Sequence, residues 1–160
     1  MLKKYGVPAA LAALVLLLDQ LSKAAVEAGI PLNRSLPVLD GFFNLVHVRN
    51  RGAAFGFLNR GDISWQFWLF TGFTLLAVIL ILFLIRKTRR PGLLSLSAFG
   101  AILGGALGNF IDRLRFRYVT DFLDFYLGNF HWPAFNVADM ALCYGVVIFA
   151  LSGFSGKAEA

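Results

Sequence analysis

At 160 residues the chain is about one domain long. It is 58% hydrophobic and 15% charged, and its 17 Phe and 3 Trp are more apolar mass than a soluble core of this size can hide. The net charge of +6 suits an anionic membrane surface and gives no reason to invoke nucleic acid, while a single cysteine excludes a disulfide and a thiolate metal site.

In chain order, the first apolar run is roughly Gly6 to Ala25. Met1-Leu-Lys-Lys before it has the look of a cleavable signal, and Ala24 to Ala28 offers small residues for a cut. Three further apolar runs favour an uncleaved first helix instead. The connection from Val26 to Asp62 is too long for a simple turn. Within it Gly41 to Arg49 alternates and is rich in aromatic and β-branched residues, which predicts a strand. Asn50 to Gly56, with two glycines and small neighbours, suits a turn or a close backbone approach. A small β-rich insertion over about 35–60, resting on the outer face with its aromatic residues at headgroup level, is the expectation.

Apolar runs from Ile63 to Ile85 and from Leu93 to Ile111 follow, joined by the tight basic connection Arg86-Lys-Thr-Arg-Arg90. The last run is Val137 to Phe154. Crossing the hydrocarbon takes about 20 helical residues, so these are four predicted spans. The predicted fold is an all-α membrane protein in one domain, 1–160, with four transmembrane helices and a small extracytoplasmic β-sheet or cradle. Gly100, Gly104 and Gly108 repeat at four-residue spacing, which lets the third helix approach a partner closely. Cys143, inside the fourth run, reads as a small packing residue.

Lys3, Lys4, the four basic residues at 86–90 and Lys157 lie on one side of such a bundle. The opposite side carries eight, but half of them are in the long first connection, which weighs less. Both termini are therefore expected in the cytoplasm. Of the nine acids, only Glu159 then belongs to the inner side. Asp19, Asp112, Asp121, Asp124 and Asp139 come from separate segments to one depth, near the outer boundary of the hydrocarbon. Ionisable groups at membrane depth are costly, and their convergence points to function.

Each acid also has a plain structural reading. Asp19 and Lys23 are four apart, an ordinary helical ion pair. Asp112 has Arg113 and Arg115 nearby. Asp124 reads as a solvated loop acid, and Asn136 with Asp139 has the spacing of a helix cap and its reciprocal partner. His47 and His131 have no companions at ligand spacing, so neither a metal nor another cofactor is expected. No serine has a His–Asp pattern around it. Two carboxylates remain, and such a pair can divide labour: one protonated as general acid, the other ionised and drawing a proton from water. Spacing alone leaves Asp112 and Asp121 equally good partners for Asp139.

The blocks Asp19-Gln-Leu-Ser-Lys23, Asn50-Arg-Gly-Ala-Ala-Phe55, Gly104-Gly-Ala-Leu-Gly-Asn-Phe-Ile-Asp-Arg113, Val119-Thr-Asp-Phe-Leu-Asp124 and Phe135-Asn-Val-Ala-Asp139 appear in that order. Together they resemble the five sequence blocks of bacterial lipoprotein signal peptidase, also called signal peptidase II. The resemblance implies a monomeric aspartic endopeptidase of the bacterial cytoplasmic (inner) membrane. It would remove the signal peptide from prolipoproteins just before a diacylglyceryl-modified cysteine, in contact with membrane lipid, and be inhibited by globomycin. It implies Asp121 and Asp139 as the catalytic pair. Asp19, Lys23, Asn50, Gly52, Asn109, Asp112, Arg113 and Asn136 would be supporting or substrate-binding residues. Thr120 and Arg51 depart from the residues usual at their positions, without removing a group that the chemistry needs. The rival readings are a small transporter or proton-relay subunit, which would need polar residues across the whole bundle, and a structural subunit whose acids only cap helices.

Overall fold

The computed structural model describes residues 2–52, 65–89 and 91–155. Its first element, α1, spans Leu2–Gly29. Two strands follow, β1 over Ser35–Leu39 and β2 over Phe43–Asn50. The helices α2 (Trp65–Lys87) and α3 (Leu93–Phe116) come next. β3 covers Val119–Leu127, β4 covers Phe130–His131, and α4 covers Val137–Ser155. The predicted turn beyond Gly52, the first residues of the second apolar run, and Arg60, Arg90 and Lys157 lie outside the described residues.

Three helices, α1, α2 and α3, are long and apolar enough to cross a membrane, and α4 carries a shorter apolar stretch over Val137–Ser152. Leucines 14, 17, 18 and 21 of α1 point outward, as do Leu76, Ile79, Leu80 and Phe83 of α2. Apolar faces turned away from the core belong against lipid. α3 is the exception and the hub: it packs against all three other helices. Its glycines explain how. A Cβ on Gly100 would lie 2.8 Å from the Pro8 carbonyl oxygen, and one on Gly104 would lie 2.7 Å from the Val15 Cβ. Between α2 and α3, Ile81, Ile85, Phe99, Ile102 and Leu103 fill the main apolar cluster.

The four strands form one antiparallel sheet in the order β1-β2-β3-β4. β2 covers most of the predicted strand. β3 corrects the sequence reading, which treated Val119 to Asp124 as a plain connection. This segment pairs with β2 from Phe43↔Phe125 to Asn50↔Val119, with a register shift between Leu45 and Val48. Its partner strand lies some 75 residues away in sequence, so local pattern could not reveal the pairing. Phe122 ties the sheet to the end of α1 by packing against Val26 and Ile30.

Candidate active site

The beginning of α4 sets the geometry. The Asn136 side chain accepts the Asp139 backbone N–H at 3.0 Å, and the Asp139 carboxylate accepts the Asn136 backbone N–H at 3.3 Å. That is a reciprocal cap with Asp in the place Glu more often takes. A third N–H of this first turn, from Ala138, is bound at 2.9 Å by Oδ1 of Asp19 from α1. The helix end is thus capped both by its own chain and by a different helix, and Asp19 and Asn136 are fully buried in doing so.

Capping leaves Asp139 a free role on its other oxygen, which accepts the Asn109 Nδ2 amide at 2.8 Å. Asn136 turns its own amide the other way, donating at 2.7 Å to Oδ1 of Asp121 on β3. One asparagine therefore contacts both carboxylates. Asn50, at the end of β2, donates to the second Asp121 oxygen at 2.9 Å. Asp121 is buried, and no cation contacts it directly among the described residues. Burial, and then the nearby charge of Asp139, push its carboxyl up to about 7. Such a group holds or releases a proton near neutral pH.

A second polar cluster adjoins the first through Asn109. Lys23 Nζ is 2.8 Å from Asp19 Oδ2, 2.7 Å from Asp112 Oδ2 and 3.1 Å from Asn109 Oδ1. An ammonium has three protons, and all three are used. Gln20 joins the same group by donating to Asp112 Oδ1 at 2.8 Å. The predicted alternatives for Asp112, Arg113 and Arg115, are not its partners. Successive residues on a helix diverge by about 100°, so Arg113 leaves the face on which Asp112 meets α1, while Arg115, three residues on, lies over Phe116 instead. Gly108 makes the cluster possible, since a Cβ there would lie 2.6 Å from Asp19 Oδ2.

Arg113 closes the site from the side of the first connection. It donates to the Gly52 carbonyl at 3.1 Å and to its own helix at the Asn109 carbonyl at 3.3 Å, with its guanidinium over the Phe70 ring. Gly52 is held in turn by Asn50, whose side chain accepts the Gly52 N–H at 2.9 Å. All ten residues singled out in the sequence thus belong to one connected region.

Three readings need correction. Asp124 is not a solvated loop acid but a buried strand residue. It accepts the Asn44 amide at 3.0 Å and contacts His131 Nδ1 at 2.9 Å. Being three residues from Asp121 on a strand, it projects to the opposite face and stays apart from the pair. His131, without companions by spacing, therefore has one in space. Cys143 is exposed on α4, whose packed face runs through Ala138, Leu142 and Gly145. Sequence reasoning also passed over Gln20 and Glu27. The first stood inside the quoted first block; the second accepts the Thr120 hydroxyl at 2.6 Å, a contact between α1 and β3 that carries no local signal.

Fold and site together define an integral membrane protein with two amide-held aspartates, one buried and one half-buried, at one end of its helices. Residues 11–155 match the family model described as signal peptidase (SPase) II. The chain is 58% identical over 145 residues to the lipoprotein signal peptidase of Nitratidesulfovibrio vulgaris (strain DP4), covering 91% of this chain and 87% of the relative. It is 52% identical over 147 residues to that of Oleidesulfovibrio alaskensis (strain G20), covering 92% and 94%. Among solved structures, a bacterial membrane enzyme determined by the in meso method at 2.3 Å superposes with a TM-score of 0.85 at 29% identity, covering 96% of this chain and 90% of that one. The chain belongs to the signal peptidase II family, and is a peptidase of a bacterial membrane.

Proposed function

We propose that this peptidase is an aspartic endopeptidase that cuts diacylglyceryl-modified prolipoproteins just before the lipidated cysteine, with Asp121 and Asp139 sharing the hydrolytic water. The observation that carries this reading is the contact of a single buried asparagine with both carboxylates. Two acids so close do not both ionise easily, so near neutral pH the pair retains one proton. The ionised member takes a proton from water as the oxygen adds to the scissile carbonyl carbon. The protonated member gives its proton to the carbonyl oxygen, forming a gem-diol. Collapse of the diol breaks the C–N bond, and a carboxyl proton passes to the leaving amine. Asn109 and Asn136 orient the carboxylates, while Asp19, Lys23 and Asp112 fix the helices beneath them. Asn50, Gly52 and Arg113 line the approach from the sheet side. No metal or cofactor enters these steps.

In this reading α4 is a fourth span, both termini are cytoplasmic, and the sheet lies outside the inner membrane with the aspartates near the outer face. A substrate whose acyl chains lie in the outer leaflet then presents its scissile bond at that depth. Grooves between helices bind signal peptide and lipid by apolar burial, and a globomycin-type inhibitor would occupy the same cleft. A proton or ion pathway fits less well, because the acids of the described residues gather at one end of the bundle.

The test is cleavage of a purified diacylated prolipoprotein by the wild-type protein and by Asp121→Asn and Asp139→Asn, with globomycin as control. Loss of cleavage in both folded variants is expected. Near-normal turnover in either would end the assignment.

A further inference from the structure

The outer end of α3 carries charges that hydrolysis does not use. Arg49 on β2 lies with its Cζ 4.5 Å from the centre of the Tyr118 ring. Tyr118 stacks on Phe116, with ring centres 5.7 Å apart and planes inclined by 22°. Arg115 covers Phe116, its Cζ 4.8 Å from the ring centre. Four side chains from a strand and a helix end thus form one ladder: cation, ring, ring, cation. A guanidinium over a ring face keeps N–H groups available for further hydrogen bonds.

Both arginines are exposed, and neither pairs with a carboxylate among the described residues. Among the described residues most acids at this end are engaged elsewhere: Asp19 and Asp112 by Lys23, Asp121 by two amides, Asp139 by Asn109, Asp124 by Asn44 and His131, and Glu27 by Thr120, while Asp40 lies exposed at the turn between β1 and β2. Arg117, in the left-handed conformation at φ 65°, turns away to cover Phe67 of α2 and adds to the positive field. Arg115 follows Asp112 by three residues, about 4.5 Å along a helix axis, so the ladder stands just outside the depth of the aspartates.

We propose that Arg49 and Arg115, bracketing the stacked rings of Tyr118 and Phe116, bind the phosphodiester headgroup of an anionic phospholipid in the outer leaflet. Planar guanidinium groups match phosphate oxygens two at a time, and an anionic lipid lacks the amine that neutralises a zwitterionic one. The diacylglyceryl group of the proposed substrate has no phosphate, so this site is separate from the cleavage cleft. Arg49 and Asn50, adjacent on a strand, point to opposite faces of the sheet. The inference uses the topology proposed above and is independent of the hydrolytic chemistry.

The full-length protein in nanodiscs of equal phosphatidylglycerol and phosphatidylcholine provides the test, with retained lipid counted by native mass spectrometry. Preference for phosphatidylglycerol should fall about tenfold or more in Arg49→Gln/Arg115→Gln, since each interfacial cation adds on the order of 1 kcal/mol. The single variants R49Q and R115Q, each with a milder loss, cover the case in which the double variant does not fold. Arg34→Gln should leave the preference as it was. Inorganic phosphate at millimolar concentration should displace little of the lipid. An unchanged preference in the double variant, or in both single variants, would overturn the site. Complete displacement by phosphate would overturn the lipid as its occupant.

Discussion

Two pairs of aspartates adjoin each other at one end of this bundle, all buried except the half-buried Asp139, and they are built oppositely. Asp19 and Asp112 have an ammonium between them, with all of its protons in use. Asp121 and Asp139 have only neutral amides as direct partners: Asn50, Asn109, Asn136 and one backbone N–H. A buried carboxylate with a cation attached is electrically complete and holds helices in place. One held by amides keeps its geometry without a cation in contact, so its proton can come and go. Asn109 joins the two, accepting from Lys23 on its oxygen and donating to Asp139 with its nitrogen. The ion-paired set is thereby tied to the amide-held one. Burial and convergence at one depth are common to both; the kind of partner separates structure from chemistry.

The largest effect expected from breaking this contrast is on rate. Asp121→Asn and Asp139→Asn should each lower prolipoprotein cleavage by about 10²–10⁴-fold, the usual range for a positioned general acid or base, in an assay with purified substrate. The rate of the wild type should also decline above pH 7, where Asp121 gives up its proton. Next in size is Lys23→Met. It strands two buried carboxylates, so thermal unfolding in detergent should show a loss of about 3–5 kcal/mol. Gly108→Ala drives a methyl group into Asp19 and should cost about 1–3 kcal/mol by the same measurement.

Asp121 itself sharpens the comparison through pH. Its carboxyl holds a proton to about pH 7 in the native state, against 3.8 ordinarily. Between those values the folded protein binds more protons than the unfolded chain, so stability declines as pH rises across that window. Asp121→Asn should flatten the slope, and melting curves collected from pH 4 to pH 7 decide it. The smallest effect is expected at the third acid. His131→Ala removes a half-exposed partner of Asp124 and should change stability by less than about 1 kcal/mol, with cleavage preserved.

Much of this was legible in the sequence, for reasons that differ by residue. Long apolar runs announce helices because lipid leaves a spanning backbone no other partner, and three of them appear as long apolar helices. The capping box at Asn136 and the pair Asp19–Lys23 are local, so spacing alone predicts them. β3 was not legible as a strand, because its hydrogen bonds go to residues far away in sequence. The choice between Asp112 and Asp121 was equally closed to spacing. It turns on which acid faces Lys23, and that depends on how tightly α1 and α3 approach at Gly104 and Gly108. The family resemblance implied Asp121, and the geometry shows how the two acids differ: Asp112 meets an ammonium, Asp121 only amides.

The bond from the Ala138 N–H to Asp19 joins the last helix to the first. A nascent chain that has not yet released residues beyond Val137 has neither Asp139 nor the turn that Asp19 holds, so the arrangement of Asp121, Asn136 and Asp139 forms only once α4 has begun to emerge. Assembly order thus acts as a safeguard: the proposed water-activating pair comes together only when α1 and α4, made far apart in time, have met.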